Sequence, residues 1–228
     1  MIDLYFSATP NGLKMKLFME EAGLPYRVVP ISLSRGEQHE PGFLAISPNG
    51  RIPALVDDAP GDGRGPLPLF ESGAMLLYLA RRTGRFLPAD LRGETEVLQW
   101  LFWQVGGLGP MAGQNGHFAV HAPETLPYAI DRYRRETARL YGVLDRRLAG
   151  RAYIAGDYSI ADMATYPWIV PHAAHGQDLD DVPNVKRWFE AIAARPATIR
   201  AYEGVEDVYA GAQPLSRDER RSLFGGTP

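Results

Sequence analysis

The chain contains no cysteine among its 228 residues. Disulfides therefore play no part in its fold, and thiolate metal ligation is excluded. Any thiol chemistry must use a sulfur brought in from outside. A dominant charge is also missing: 24 Lys and Arg against 27 Asp and Glu leave a net charge of -3. A pI near 6.0 argues against nonspecific nucleic-acid binding, which needs a basic surface. The arginine pairs at 81–82, 134–135, 146–147 and 220–221 are interspersed with acids and read as solvated helix faces. No apolar run approaches the ~18 residues of a membrane span. Residues 1–6 lack the basic flank of a signal peptide and read as a first strand. A cytoplasmic protein with no membrane or nucleic-acid partner is expected. There is no P-loop, no GxGxxG after a strand and no GxSxG elbow. His117 and His121 are four apart and His172 and His175 three apart, but without an HExxH context, so no metal is expected.

What is present is ample apolar content, 45%, enough for one large domain or two modest ones. Residues 2–7 alternate, with Ile2, Leu4 and Phe6 on one face, which predicts a half-buried strand. Residues 9–12 read as a turn. Leu13, Leu17, Phe18 and Ala22 then recur at helical spacing, and Gly23 supplies a stop. Strands are predicted over 26–33, 52–56 and 67–70, with a polar loop at 34–38 and a Gly/Asp-rich turn at 57–66. An apolar helix over 73–82 closes at Gly84. This β-α-β, β-β-α order describes an α/β thioredoxin-like domain over 1–87. A linker at 88–93 precedes predicted helices over 94–105, 127–148, 160–172 and 185–194, with a continuation past Pro196. The second domain, 94–210, is thus expected to be all-α, with a polar tail over 211–228.

Two stretches suggest a site. Ile52-Pro53 opens an apolar strand with a proline, and Glu71-Ser72 opens an apolar helix with an acid and a hydroxyl. Strand, turn, strand and helix start would bring a backbone edge close to an anion-seeking helix N-terminus. That pairing suits a small peptide carrying both an ammonium and a carboxylate.

Arg51-Ile52-Pro53-Ala54-Leu55, Glu71-Ser72-Gly73 and the segment 156–162 fall in the order seen in the glutathione transferase superfamily, which the chain resembles over nearly its whole length. Thr9-Pro10-Asn11-Gly12, Gln38 and the Trp/Gly-rich segment 98–111 are similar to the bacterial Nu class of glutathione-dependent disulfide reductases. The resemblance implies glutathione, reduced or oxidised, as co-substrate, a small disulfide or electrophile as second substrate, weak conjugating activity and a homodimer. The rival readings are a non-catalytic interaction module of the same fold and, ranked last, a glutathione-using isomerase, whose serine-rich motif is missing here.

The resemblance also implies residue roles, each with a plainer alternative. Pro53 would follow a cis bond and expose the Ile52 N–H and C=O to the peptide, or be an edge-strand proline. Ser72 would receive the γ-glutamyl carboxylate and Glu71 the ammonium, or the two simply form an N-cap. Gln38 and Arg51 would hold the glycyl end, although Arg51 also suits a solvated surface. Asn11 and Thr9 would donate to the sulfur, or belong to a strand-to-helix turn. Ser7 is a reserve donor, whereas Tyr5 reads as a packed aromatic. Arg132 would contact a second glutathione, or be exposed on a long helix. Trp103, Phe118, Trp168 and His172 are possible walls of a second pocket, but aromatics at helical spacing are more often core. Ser159 and Asp162 match a structural capping box.

Overall fold

The computed structural model describes residues 1–205; the expected tail at 211–228 lies outside them. In β1 (Ile2–Phe6) the alternation buries Ile2 and Leu4. α1 (Pro10–Ala22) carries the chain to β2 (Tyr26–Pro30), which runs parallel to β1. After a one-turn α2 (Pro41–Leu44), β3 (Ala54–Asp57) lies antiparallel on the other side of β1, and β4 (Leu67–Phe70) antiparallel to β3. The sheet order is β2-β1-β3-β4, with Leu4 opposite Leu55 and Leu55 opposite Leu69.

Several boundaries differ from expectation. α1 starts at Pro10 rather than Leu13. Thr9 is its N-cap, with Oγ1 accepting from the Gly12 N–H at 3.2 Å, and Pro10 occupies the first turn, where no N–H is needed. Gly23 closes it at φ 64°. β2 stops at Pro30 instead of Leu33. β3 begins after Pro53, which has no N–H to give a ladder, and ends at Asp57. Asp57 was expected in a turn but is buried, accepting from the Tyr78 hydroxyl at 2.6 Å and paired with Arg82.

α3 (Ser72–Thr83) leads to α4 (Leu91–Trp103), capped by Asp90 accepting from Gly93 N–H at 3.0 Å. Gly93 therefore belongs to the helix, not the linker. The helix does not end at 105: a π-helical turn (Gln104–Leu108), α5 (Gly109–Gly116) and a second π-helical turn (His117–His121) continue it. The glycines serve close packing here. A Cβ at Gly109 or Gly113 would lie 3.4 or 3.3 Å from the Trp168 ring. α6 (Pro127–Leu148) matches its predicted span. α7 (Ile160–Ile169) stops short of His172, and α8 (Pro183–Ala193) and α9 (Pro196–Tyr202) follow. The capping box of α7 forms: Asp162 accepts from Ser159 N–H at 3.0 Å, and also from Ile154 N–H and Trp188 Nε1–H at 2.9 Å.

The sheet-bearing and helical parts share one apolar core. Leu4, Phe18, Leu55 and Leu76 join a cluster that continues through Leu101, Leu144, Met163 and Trp188. α1 lies at the seam, packed on α3 on one side and on α7 and α9 on another. Each large side chain buried there contributes about 1.5–3 kcal/mol, so the seam holds the start of α1 in place. No helix among the described residues is long and apolar enough to cross a membrane.

Candidate functional site

The start of α1, the loop before β3 and the start of α3 meet at one end of the sheet, where β1 and β4 finish and β3 begins. They enclose an open cleft of about 520 Å³, solvent included, lined by Asn11, Ser47, Asn49, Arg51, Ile52, Pro53, Phe70, Glu71 and Ser72. The Ile52–Pro53 peptide is cis. Ile52 precedes the first residue of β3 and stands outside its ladder. The backbone leading to it is clamped by buried Ser47, whose hydroxyl donates to the Arg51 carbonyl at 2.9 Å.

Asn11 sits in the first turn of α1 with its amide oriented by the helical part of the molecule. The Trp168 indole N–H donates to Asn11 Oδ1 at 3.0 Å. An indole nitrogen is a donor only. It therefore requires the amide oxygen on its side and leaves the Asn11 NH₂ group on the other. Thr9 Oγ1 is engaged as the α1 cap but keeps its own O–H to donate.

Glu71 holds φ 68° and ψ 107°, a region a non-glycine residue occupies at a cost of about 1–3 kcal/mol. Its carbonyl accepts from Met75 N–H at 2.9 Å and starts α3. Glu71 occupies the N-cap position and Ser72 is the first helical residue, but neither side chain caps the helix. The capping alternative therefore holds for the place of Glu71 and not for a capping hydrogen bond. The Ser72 hydroxyl meets a side chain that sequence reasoning missed: Lys14 Nζ donates to Ser72 Oγ at 3.2 Å and to Gln104 Oε1 at 2.6 Å. Lys14 is buried, and burial pushes its ammonium down to about 7 against the pull of Glu71. The one hint in sequence is spacing: Lys14 precedes Leu17 and Phe18 by three and four residues, on the apolar side of α1.

Other expected site residues lie apart from this lining. Gln38 is buried in a short 3-10 turn (Glu37–His39), its Nε2 3.3 Å from His39 Nε2. Arg132 lies on α6, more than half exposed and 3.8 Å from Glu136. Tyr5 packs its ring 6.0 Å from that of Phe43. Ser47 and Asn49, both in the lining, were passed over because Ser-Pro-Asn-Gly reads as an ordinary turn. No group of three or more His, Cys, Asp or Glu among the described residues could hold a metal ion.

Two family models match the chain: Glutathione S-transferase, N-terminal domain, over residues 4–81, and Glutathione S-transferase, C-terminal domain, over residues 110–196. The chain is 56% identical over 202 residues to the disulfide-bond oxidoreductase YfcG of Escherichia coli (strain K12), covering 88% of this chain and 94% of that one. It is 40% identical over 213 residues to the disulfide-bond oxidoreductase YghU of the same organism, covering 87% and 73%. Among solved structures, a glutathione transferase from Burkholderia graminis with two glutathione molecules bound per subunit superposes with TM-score 0.84 at 43% identity, covering 89% and 88%. One from Pseudomonas putida, with one glutathione disulfide bound per subunit, gives TM-score 0.83 at 40% identity, covering 89% and 91%.

Proposed function

The chain belongs to the glutathione S-transferase family, and we propose that it is a glutathione-dependent disulfide-bond oxidoreductase. The observation that carries this reading is the orientation of Asn11. With Oδ1 held by Trp168, its two amide N–H donors are left for the cleft it lines. A free thiol with pKa ~8.5 is only a few per cent thiolate at pH 7. Lowering that pKa by ~2 units takes about 2.7 kcal/mol. One hydrogen bond to a charged acceptor supplies ~1.5–3 kcal/mol. The Asn11 amide is therefore sufficient for the task; Thr9, the α1 cap, is not in the cleft lining.

Glutathione would lie with its cysteinyl backbone along Ile52-Pro53 as an added strand. Its γ-glutamyl carboxylate would meet the Ser72 hydroxyl and the α3 N–H groups, and its ammonium Glu71. Arg51 and Gln38 would serve the glycyl end. The protein itself has no sulfur nucleophile, so both reducing equivalents come from glutathione. One glutathione thiolate attacks a substrate disulfide and releases one thiol. A second attacks the mixed disulfide, releasing the other thiol and leaving glutathione disulfide. The ligands of the Burkholderia graminis and Pseudomonas putida proteins support both ends of that sequence. Arg132 is assigned to a second glutathione by resemblance alone, and no step rests on it.

Membership of the Nu class is supported by the resemblance of the Trp/Gly-rich segment 98–111. A homodimer is supported by Leu91 and Phe102, both exposed and 11 residues apart in α4, hence on one helix face. A cytoplasmic setting follows from the need for reduced glutathione. Residues 1–87 are taken as the glutathione-binding domain and 94–210 as the helical domain. The test is a steady-state comparison of small-disulfide reduction by glutathione with conjugation of glutathione to an aromatic electrophile. Reduction is expected to dominate; conjugation dominant by orders of magnitude rejects the assignment.

A further inference from the structure

Lys14 is buried behind the cleft, and one of its atoms touches a residue that lines it. Its Nζ donates to Ser72 Oγ at 3.2 Å and is anchored on the far side by Gln104 Oε1 at 2.6 Å. An ammonium has donors and no acceptor. While Lys14 is charged, the Ser72 oxygen can only accept from it, so the hydroxyl hydrogen must point elsewhere. Ser72 lines the cleft at the first position of α3. A neutral amine lifts this constraint, because its lone pair can accept the Ser72 hydrogen and draw it away from the cleft.

We propose that Lys14 is the positioning residue of the anion subsite: its ammonium turns the Ser72 hydroxyl into the cleft, so that binding of a ligand carboxylate there is linked to protonation of Lys14. This rests on the reading of the cleft as a glutathione site. The groups facing Lys14 are Glu71 and Ser72 from the start of α3 and neutral Gln104 from the helical part. Among these, Glu71 is the charged one, and it favours the ammonium. The free protein sits at the balance point, since burial brings the Lys14 ammonium down to about 7. A carboxylate one hydroxyl away tips the balance to the charged form. Gln104 makes the device an inter-domain one, because it lies in the π-helical turn after α4.

The probe is S-methylglutathione, whose sulfur cannot ionise; its α-ammonium still titrates near pH 8, so the Lys14 contribution is read as wild type minus Lys14→Met. Calorimetry at pH 7.5 in buffers of different ionisation enthalpy is expected to show more than half a proton taken up by wild type beyond that taken up by the variant. Kd for wild type should already rise between pH 6.5 and 7.5, below the range of the ligand amine. Lys14→Met should raise Kd at least tenfold at pH 7 and keep only the uptake that belongs to the ligand amine. Adding it to Ser72→Ala should cost little more than Ser72→Ala alone, since the lysine acts through the serine. Wild-type affinity flat from pH 6 to 8.5, or Lys14→Met affinity within twofold of wild type, overturns the proposal, and the wild-type titration decides even where a variant does not fold. Wild type that binds no S-methylglutathione at all instead overturns the glutathione reading beneath it.

Discussion

The Trp168 indole and the Asn11 amide, 157 residues apart, are joined by a 3.0 Å hydrogen bond across the seam between the two parts of the molecule. Trp168 is itself seated against Gly109 and Gly113 of the long helical run. The residue argued to activate the thiol is therefore aimed by the helical part and not by its own helix.

Trp168→Phe keeps a ring against those glycines and removes the donor. The Asn11 side chain then loses the hydrogen bond that fixes its rotamer as well as its amide face. A hydrogen bond worth about 0.5–1.5 kcal/mol corresponds to roughly a two- to tenfold effect. We expect kcat/KM for disulfide reduction to fall by about that factor, with glutathione Kd changed less than twofold. Steady-state kinetics and a binding titration check the split.

Asn11→Ala removes the donors themselves. The thiol of bound glutathione should rise in pKa by roughly 1–2 units, the equivalent of one hydrogen bond to a charged acceptor at ~1.5–3 kcal/mol. A titration of thiolate absorbance in the complex measures this. An unchanged thiol pKa would assign activation to Thr9 or to backbone N–H groups.

Gly109→Ala tests the packing behind the site. Alanine is the better helix former by up to ~1 kcal/mol. Here, however, its Cβ would lie 2.8 Å from Gln104 Nε2 and 3.3 Å from the Gln104 carbonyl, as well as touching Trp168. Overpacking of this kind costs about 1–3 kcal/mol. Net destabilisation in thermal or denaturant unfolding is expected, together with weaker glutathione binding, because Gln104 anchors Lys14. A variant more stable than wild type would show that the helices can move apart freely.

His175 supplies a pH signature. Burial, helped by nearby His172, lowers its ring to about 4 from 6.5. Between those values the unfolded chain binds a proton that the folded chain refuses, so stability is full above about pH 6.5 and falls as pH drops toward 4, by roughly 3 kcal/mol in all. Asp162, pushed up to about 6 by burial, works in the opposite sense: folding gains as pH falls from 6 to 3.8. Denaturant unfolding of His175→Gln beside wild type across pH 7 to 4.5 isolates the histidine, and the variant should lose less stability on acidification.

Local patterns were read reliably wherever a residue's own covalent chemistry decides its conformation. Gly23 and Gly84 stop their helices, Leu67–Phe70 and Pro127–Leu148 have their expected bounds, and Ser159 and Asp162 form their box. Errors came where one residue type serves two ends. Pro10 read as a turn but begins a helix, since a missing N–H suits either place. The helix expected over 94–105 instead runs on through Gly106 and Gly107. Asp57 read as a turn residue and is a buried ion-pair partner.

The chain's covalent inventory alone decided that any sulfur chemistry is borrowed, because a protein with no cysteine has no thiol of its own. It also made Ile52-Pro53 and Glu71-Ser72 legible as a peptide edge beside an anion site, because proline and helix-start residues carry their geometry with them. How that grip is tuned was decided in three dimensions. Lys14 gains its role only when folding buries it between Ser72 and Gln104, and Trp168 only when it meets Asn11. A donor's meaning depends on which acceptor it faces, and partners 58, 90 and 157 residues away along the chain are brought together only by burial of the shared core.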